Sequence, residues 1–194
     1  MADEGCQSRS DFHEACIRGD VRDVQALFDV GTMMGYLDLP LVRGGLYCAC
    51  LGGNLPAAQF LRGKVPCLSL ADADNLVGAC MSGQTRLVQW LAQECAGCDA
   101  DTWTDAFLVA CTSGSLALAK WLHATHPVDI HCKQDRAFVR TCGLGHFQVA
   151  RWLLAQDPDY GWDPEGLARL RGWSTARDAW MRGCVTGAEV CTLP

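Results

Sequence analysis

A Cys-x-x-Gly tetrad recurs five times along the chain, at Cys16/Gly19, Cys50/Gly53, Cys80/Gly83, Cys111/Gly114 and Cys142/Gly145, with cysteine-to-cysteine steps of 34, 30, 31 and 31 residues. A period this regular marks an array of repeated supersecondary units, none of which can bury its apolar face alone. Leu stands eight residues after every one of these glycines, as Leu27, Leu61, Leu91, Leu122 and Leu153, so the pattern reaches well beyond the tetrad.

The stretch from Asp105 to Leu122 displays one unit in full: a short apolar run, a turn at Gly114 and an amphipathic run. Seven residues before each Gly stand Phe12, Leu46, Leu76, Phe107 and Phe138, and four before it stand Ala15, Ala49, Ala79, Ala110 and Thr141. A large and a small residue three apart share one helical face, which lets neighbouring helices approach closely. After the Gly, positions two, five, seven and eight read Leu116, Ala119, Trp121, Leu122 in one unit and Phe147, Ala150, Trp152, Leu153 in the next, the apolar stripe of a second helix. Each unit is thus a predicted helical hairpin. Its first helix is expected to begin nine residues before the Gly, at Ser10, Gly44, Asp74, Asp105 and Arg136, where Ser and Asp can cap, Gly substitutes, and Asp135 serves in place of Arg136.

The segments Ala110-Cys111-Thr112-Ser113-Gly114-Ser115-Leu116 and Gly145-His146-Phe147-Gln148-Val149-Ala150-Arg151-Trp152-Leu153-Leu154 resemble the helix-turn-helix core of ankyrin repeats, and Val128-Asp129-Ile130-His131 looks like the strand-turn stretch after a second helix. The resemblance covers roughly residues 10 to 157 in five concordant units. It departs from the family in lacking the Thr-Pro-Leu-His start: only His13 takes that histidine's place, and Tyr47, Val77, Leu108 and Val139 stand there in the other units. The Ala-Cys-x-x-Gly and Lys/Arg-Trp-Leu wording is similar to divergent ankyrin arrays of large DNA viruses of amoebae and of some protists. The resemblance implies an all-α, ankyrin-like solenoid of stacked helix-turn-helix repeats, five repeats plus a C-terminal capping hairpin.

From Asp163 onward the phase changes. Pro164 suits a first helical turn, and Leu167, Leu170, Gly172, Ala176 and Trp180 form a weakened copy of the hairpin, as a terminal repeat with one face in water should. The expected organisation is a flexible lead-in over 1–10, five repeats over 11–162, a cap over 163–184 and a mobile tail over 185–194, all in one domain.

Hydrophobic residues make up 49% of the chain and charged residues 20%, ample for a core, and no uncharged apolar stretch approaches the roughly 20 residues that span a bilayer. The start, Met1 to Asp11, has no apolar run and does not resemble a secretory signal. A cytoplasmic protein is expected, in the host cytoplasm if viral. Five of the thirteen cysteines are the small residue of the repeat, a compact hydrophobe in a reducing compartment. A tetrahedral set of Cys95, Cys98, His126 and Cys132 is conceivable across adjacent loops, but its spacing matches no established finger, and no metal or other cofactor is expected. The pairs Asp72/Asp74, Asp99/Asp101 and Asp157/Asp159 recur at one phase and read as turn residues that also cap the next helix. With the cysteines explained by the repeat and no phosphate loop after a strand, no enzyme is expected. A net charge of -6 and scattered basic residues argue against nucleic acid, and Arg169, Arg171, Arg177 and Arg182 suit an amphipathic capping helix.

A stack of hairpins offers an extended concave surface, and by the resemblance the residues facing a partner protein lie between Cys and Gly and just before each first helix. Here these are Ile17, Arg18, Leu51, Met81, Ser82, Thr112, Ser113 and Leu144, with Thr102, Trp103, Thr104, Lys133 and Gln134 in the preceding loops. For Trp103, an inward fold over the repeat junction is the alternative. The expected function is a non-enzymatic protein-interaction module, in a viral setting one that engages a host factor. The rivals are a self-associating structural protein joined through Trp90, Trp121 and Trp152, and a metal- or redox-responsive protein using Cys95 and Cys98.

Overall fold

A computed structural model describes residues 2–69, 72–94 and 98–156, with side chains for all of these except residues 2–7 and Gln134. Among the described residues there are ten helices and no strand: α1 (Ala2–Arg18), α2 (Val21–Met34), α3 (Leu39–Leu51), α4 (Leu55–Lys64), α5 (Ala73–Ser82), α6 (Thr85–Glu94), α7 (Ala100–Thr112), α8 (Leu116–Thr125), α9 (Cys132–Leu144) and α10 (Phe147–Gln156). The fold is all-α. Val128 to His131 holds a turn where the resemblance implied a strand. The cap over 163–184, the tail over 185–194 and the Asp157/Asp159 pair lie outside the described residues.

Helix starts differ from the sequence-based expectation. α3, α5 and α7 begin after Asp38, Asp72 and Asp99, whose carboxylates accept from the backbone N–H of Leu41 (2.8 Å), Asp74 (3.2 Å) and Thr102 (2.8 Å). Each lies upstream of the predicted Gly44, Asp74 or Asp105, because the strongest available cap sets the start and not the first apolar column. The added turn gives α3 the buried Leu41 and Val42, and α7 the buried Trp103 and Thr104. α9 begins at Cys132 instead of Arg136, and α1 is helical from Ala2 instead of Ser10, so the expected lead-in is itself helix.

The odd-numbered helices pack in chain order, α1 on α3, α3 on α5, α5 on α7 and α7 on α9, with each even helix folded against its odd partner. Phe12, Leu46, Leu76, Phe107 and Phe138 fill the seams between them, beside the column of Ala15, Ala49, Ala79, Ala110 and Thr141, all buried. The small column sets the spacing. At Gly45 a Cβ would stand 2.6 Å from the ring of Phe12, closer than van der Waals contact allows. On α4, α6, α8 and α10 the fully buried positions are four, five and eight after the Gly, as in Leu87, Val88 and Leu91, whereas α2 buries Val24 and Phe28 and leaves Leu27 partly exposed; Trp90, Trp121 and Trp152 at position seven are half-buried and packed on the core.

All five turn glycines are left-handed, with φ between +70° and +82°. Such angles strain any residue with a Cβ. The turns at Gly19, Gly53, Gly83 and Gly114 also receive the next hairpin. Asn54 donates through Nδ2 to the carbonyls of Cys16 (3.1 Å) and Ile17, beside Gly19, and Ser115 donates through Oγ to Gly83 O (3.3 Å). Gln84 packs over Gly53 and His146 over Gly114, where a Cβ would stand 2.7 Å and 2.6 Å from them. Here Asn54, Gln84, Ser115 and His146, each directly after a turn Gly, link neighbouring hairpins through side-chain contact. His13 adds a further link, Nε2 to Leu41 O at 3.2 Å.

Candidate functional site

The residues predicted to face a partner form two groups. Ile17, Arg18, Leu51, Met81, Ser82, Thr112, Ser113 and Leu144 end the odd helices or follow them directly, so one row of helix ends carries them. Thr102 and Lys133 lie at the opposite ends of α7 and α9, about 15 Å away along helices that rise 1.5 Å per residue. Ile17 (44% exposed), Met81 (54%) and Leu144 (53%) are open to solvent, and Leu51 is half-buried. Arg18 is exposed and faces Glu14 at 4.0 Å. The small polar residues among them close helix ends: Ser82 Oγ donates to Ala79 O (2.7 Å), Thr112 Oγ1 to Val109 O (3.0 Å), and Ser113 Oγ to Ala110 O (3.0 Å) and across the seam to Cys80 O (3.2 Å). Thr102 hydrogen-bonds Asp99 by hydroxyl and amide, which holds the Asp99 carboxyl below its ordinary range. Lys133 pairs with Asp105, and the side chain of Gln134 lies outside the described residues.

Two members of the predicted set lie beneath the surface. Trp103 is 5% exposed, its indole stacked on the His126 ring at 3.6 Å and 10°, and Thr104 is 9% exposed, its hydroxyl accepting from the backbone N–H of Asp129 at 3.3 Å. The longer α7 makes them helical residues that face the α8–α9 loop, where an indole is better buried than wet. Trp121 meets His126 edge-on, and Trp152 meets Phe107 and His123, so these tryptophans are committed to internal contacts. Burial pushes the His126 pKa down, favouring the neutral ring.

Burial keeps the repeat cysteines Cys16, Cys80 and Cys111 as protonated thiols. Burial raises Cys16 and Cys80 to about 12 and pushes Cys111 up as well, and Cys48 and Cys132 move in the same direction for the same reason. A nucleophile or metal ligand needs the thiolate, which these environments disfavour. Among the described residues no group of three or more His, Cys, Asp and Glu could hold a metal ion; Cys95 lies outside them.

An open cleft of about 520 Å³ lies between α3 and α5. Leu39, Pro40, Arg43 and Tyr47 line it from α3, and Asp72, Asp74 and Asn75 from the start of α5. Leu39 (44% exposed) and Tyr47 (39%) present apolar surface. Asp72 is occupied as the α5 cap, whereas Arg43 and Asp74 form no ion pair among the described residues. Asn75 is 1% exposed, and its side-chain nitrogen is sealed from solvent with no hydrogen-bond partner among the described residues. Leaving such a donor unmet costs about 1–3 kcal/mol. The same column holds the buried Gly45, Ala106 and Ala137 and the half-buried Asp11, so Asn75 is the one fully buried polar side chain in it. Sequence reasoning missed Arg43 and Asn75; a lone amide in a column of small residues was the available signal.

No protein-family model matches the chain, and no curated protein is similar to it.

Proposed function

We propose that the chain is an ankyrin-type solenoid acting as a non-enzymatic module that binds another protein along its row of first helices. The observation that carries this reading is a row of helix ends, on α1, α5 and α9, that leaves apolar side chains open to solvent. The exposed Ile17, Met81 and Leu144 on the same row support it by supplying apolar contact area. The shallow shape of such a stack and its protonated thiols give a reaction nothing to work with. Among the described residues no helix is long and apolar enough to cross a membrane.

A photo-crosslinking amino acid at Met81 tests the reading against one at the exposed Gln59 on α4. A discrete adduct with one protein from Met81 and none from Gln59 supports it. Equal yields from both positions, or none from either, overturn it.

Self-association is the second reading, favoured by one observation: Met33 (86% exposed), Met34 (74%) and Val30 (48%) cluster at the end of α2. A mass that stays near 21.0 kDa across a wide concentration range removes it. A mass that rises, and falls back in a Met33→Lys/Met34→Lys variant, promotes it over hetero-binding.

A further inference from the structure

We propose that the first turn of α9 is a latch set by a proton: a protonated His131 holds the turn in a left-handed form, and loss of that proton releases it.

α3, α5 and α7 each start on an aspartate whose carboxylate accepts a backbone N–H, whereas His131, in the same place on α9, makes no side-chain cap. The turn that follows is unlike the other described helix starts. Lys133 and Asp135 have φ of +53° and +56°, the two non-glycine residues with positive φ among the described ones. A Cβ makes that region costly, and such residues persist only where their surroundings hold them. Both are held through their side chains: Lys133 Nζ pairs with Asp105 Oδ1 on α7, and Asp135 Oδ1 meets His131 Nδ1 at 2.7 Å.

Partly exposed pairs of this kind are individually weak, so restraint and strain stand close to balance and a single charge can tip them. Histidine is the side chain whose charge changes between about pH 5 and 8. The His131 side chain is 40% exposed, so solvent reaches it. With the proton on, its bond to Asp135 is charge-assisted and roughly twice as strong as the neutral bond left when the proton departs. The other charged groups around the ring are Asp129 in the α8–α9 loop, whose carboxylate accepts the His131 N–H at 2.9 Å, Asp105 from α7 with Lys133 bound to it, and Arg136. Three carboxylates, those of Asp105, Asp129 and Asp135, against the two cations Lys133 and Arg136 leave one negative charge in excess, which the imidazolium cancels. Lys133 belongs to the set expected to face a partner, so the proton alters what this end of the array presents.

The test reads φ directly. Three-bond HN–Hα couplings of Lys133 and Asp135 are followed by NMR in the full chain across about pH 5 to 8, together with the His131 ring shifts. The expected result is left-handed φ at the acid end and a move toward the right-handed helical value as pH rises, with one midpoint shared by both couplings and the ring. His131→Gln should abolish the move. So should Asp135→Asn, which keeps an acceptor on a residue that tolerates positive φ but removes the charge. His126→Gln should leave the move intact, which separates the latch from the stacked ring. Couplings that stay constant in the wild-type chain, that report right-handed φ at the acid end, that still move in His131→Gln, or that stop moving in His126→Gln overturn the proposal.

Discussion

The α3/α5 and α7/α9 seams are built from the same columns and end differently. At α7/α9, the position of Tyr47 is held by Leu108, 9% exposed, that of Asn75 by the fully buried Ala137, and that of Gly44 by Asp105, which pairs with Lys133. The hydroxyl of Thr104, in the place of Arg43, accepts from the backbone N–H of Asp129. Every polar group named there has a partner. At α3/α5 the same positions leave an exposed ring, an unpaired guanidinium and an orphaned amide. Repetition serves stability, and the place where the repeat breaks its own rule, without compensation inside the chain, is where a partner is to be sought.

The comparison can be broken most severely at the closed seam. Phe107→Ala empties a fully buried site against His123 and Trp152 and is expected to cost about 3–5 kcal/mol in denaturant unfolding, enough to unfold a marginal array. A milder intervention copies the open seam's defect: Ala137→Asn places a buried amide among Phe138 and its neighbours and should cost about 1–3 kcal/mol, whereas Asn75→Ala should cost nothing. Equal penalties for the two exchanges would dissolve the contrast.

Acidity acts on the closed side through His126. Its pKa is lowered in the folded chain, so below the unfolded value of about 6.5 the unfolded state binds the extra proton, and stability falls as pH drops from 7 through that range. Thermal melts at pH 7.5 and 5.5 should therefore differ, and His126→Gln should reduce the difference; an unchanged pH dependence would count against the stacked neutral ring. Smallest is Lys133→Ala. Its ion pair to Asp105 is half exposed on both sides, and unfolding titrations should register no more than about 1 kcal/mol, fading in high salt.

The hairpin pattern was plain in the residues, because Cys-x-x-Gly, the large column and the small column repeat at fixed offsets and all but dictate burial. Helix starts were misjudged because the apolar columns begin later than the caps: Asp38 and Asp99 lie outside the repeated core, and only geometry shows their carboxylates on the amides of Leu41 and Thr102. Trp103 appeared equally as lure or lid for the same reason, since its helix starts at Ala100, five residues before the expected Asp105. The cleft was harder still. Asn75 is visible as a polar letter in a small column, but whether a buried amide finds an acceptor depends on atoms from several elements at once. The contacts across the glycine turns were equally hidden, because Asn54, Gln84, Ser115 and His146 share polarity and position but no single chemistry.

Those contacts give the array a direction. Asn54, Ser115 and their counterparts each grip the turn behind them, and Asp20 caps its own helix through the amides of Arg22 and Asp23. A hairpin thus carries a hook at one end and an eye at the other, like couplings on rolling stock. Excising one whole hairpin would bring the eye at Gly53 to the hook at Ser115, a joint of the kind already present at Gly83. Units can then be dropped, doubled or exchanged without redesigning a seam, and the length of the array becomes a quantity that changes in whole steps.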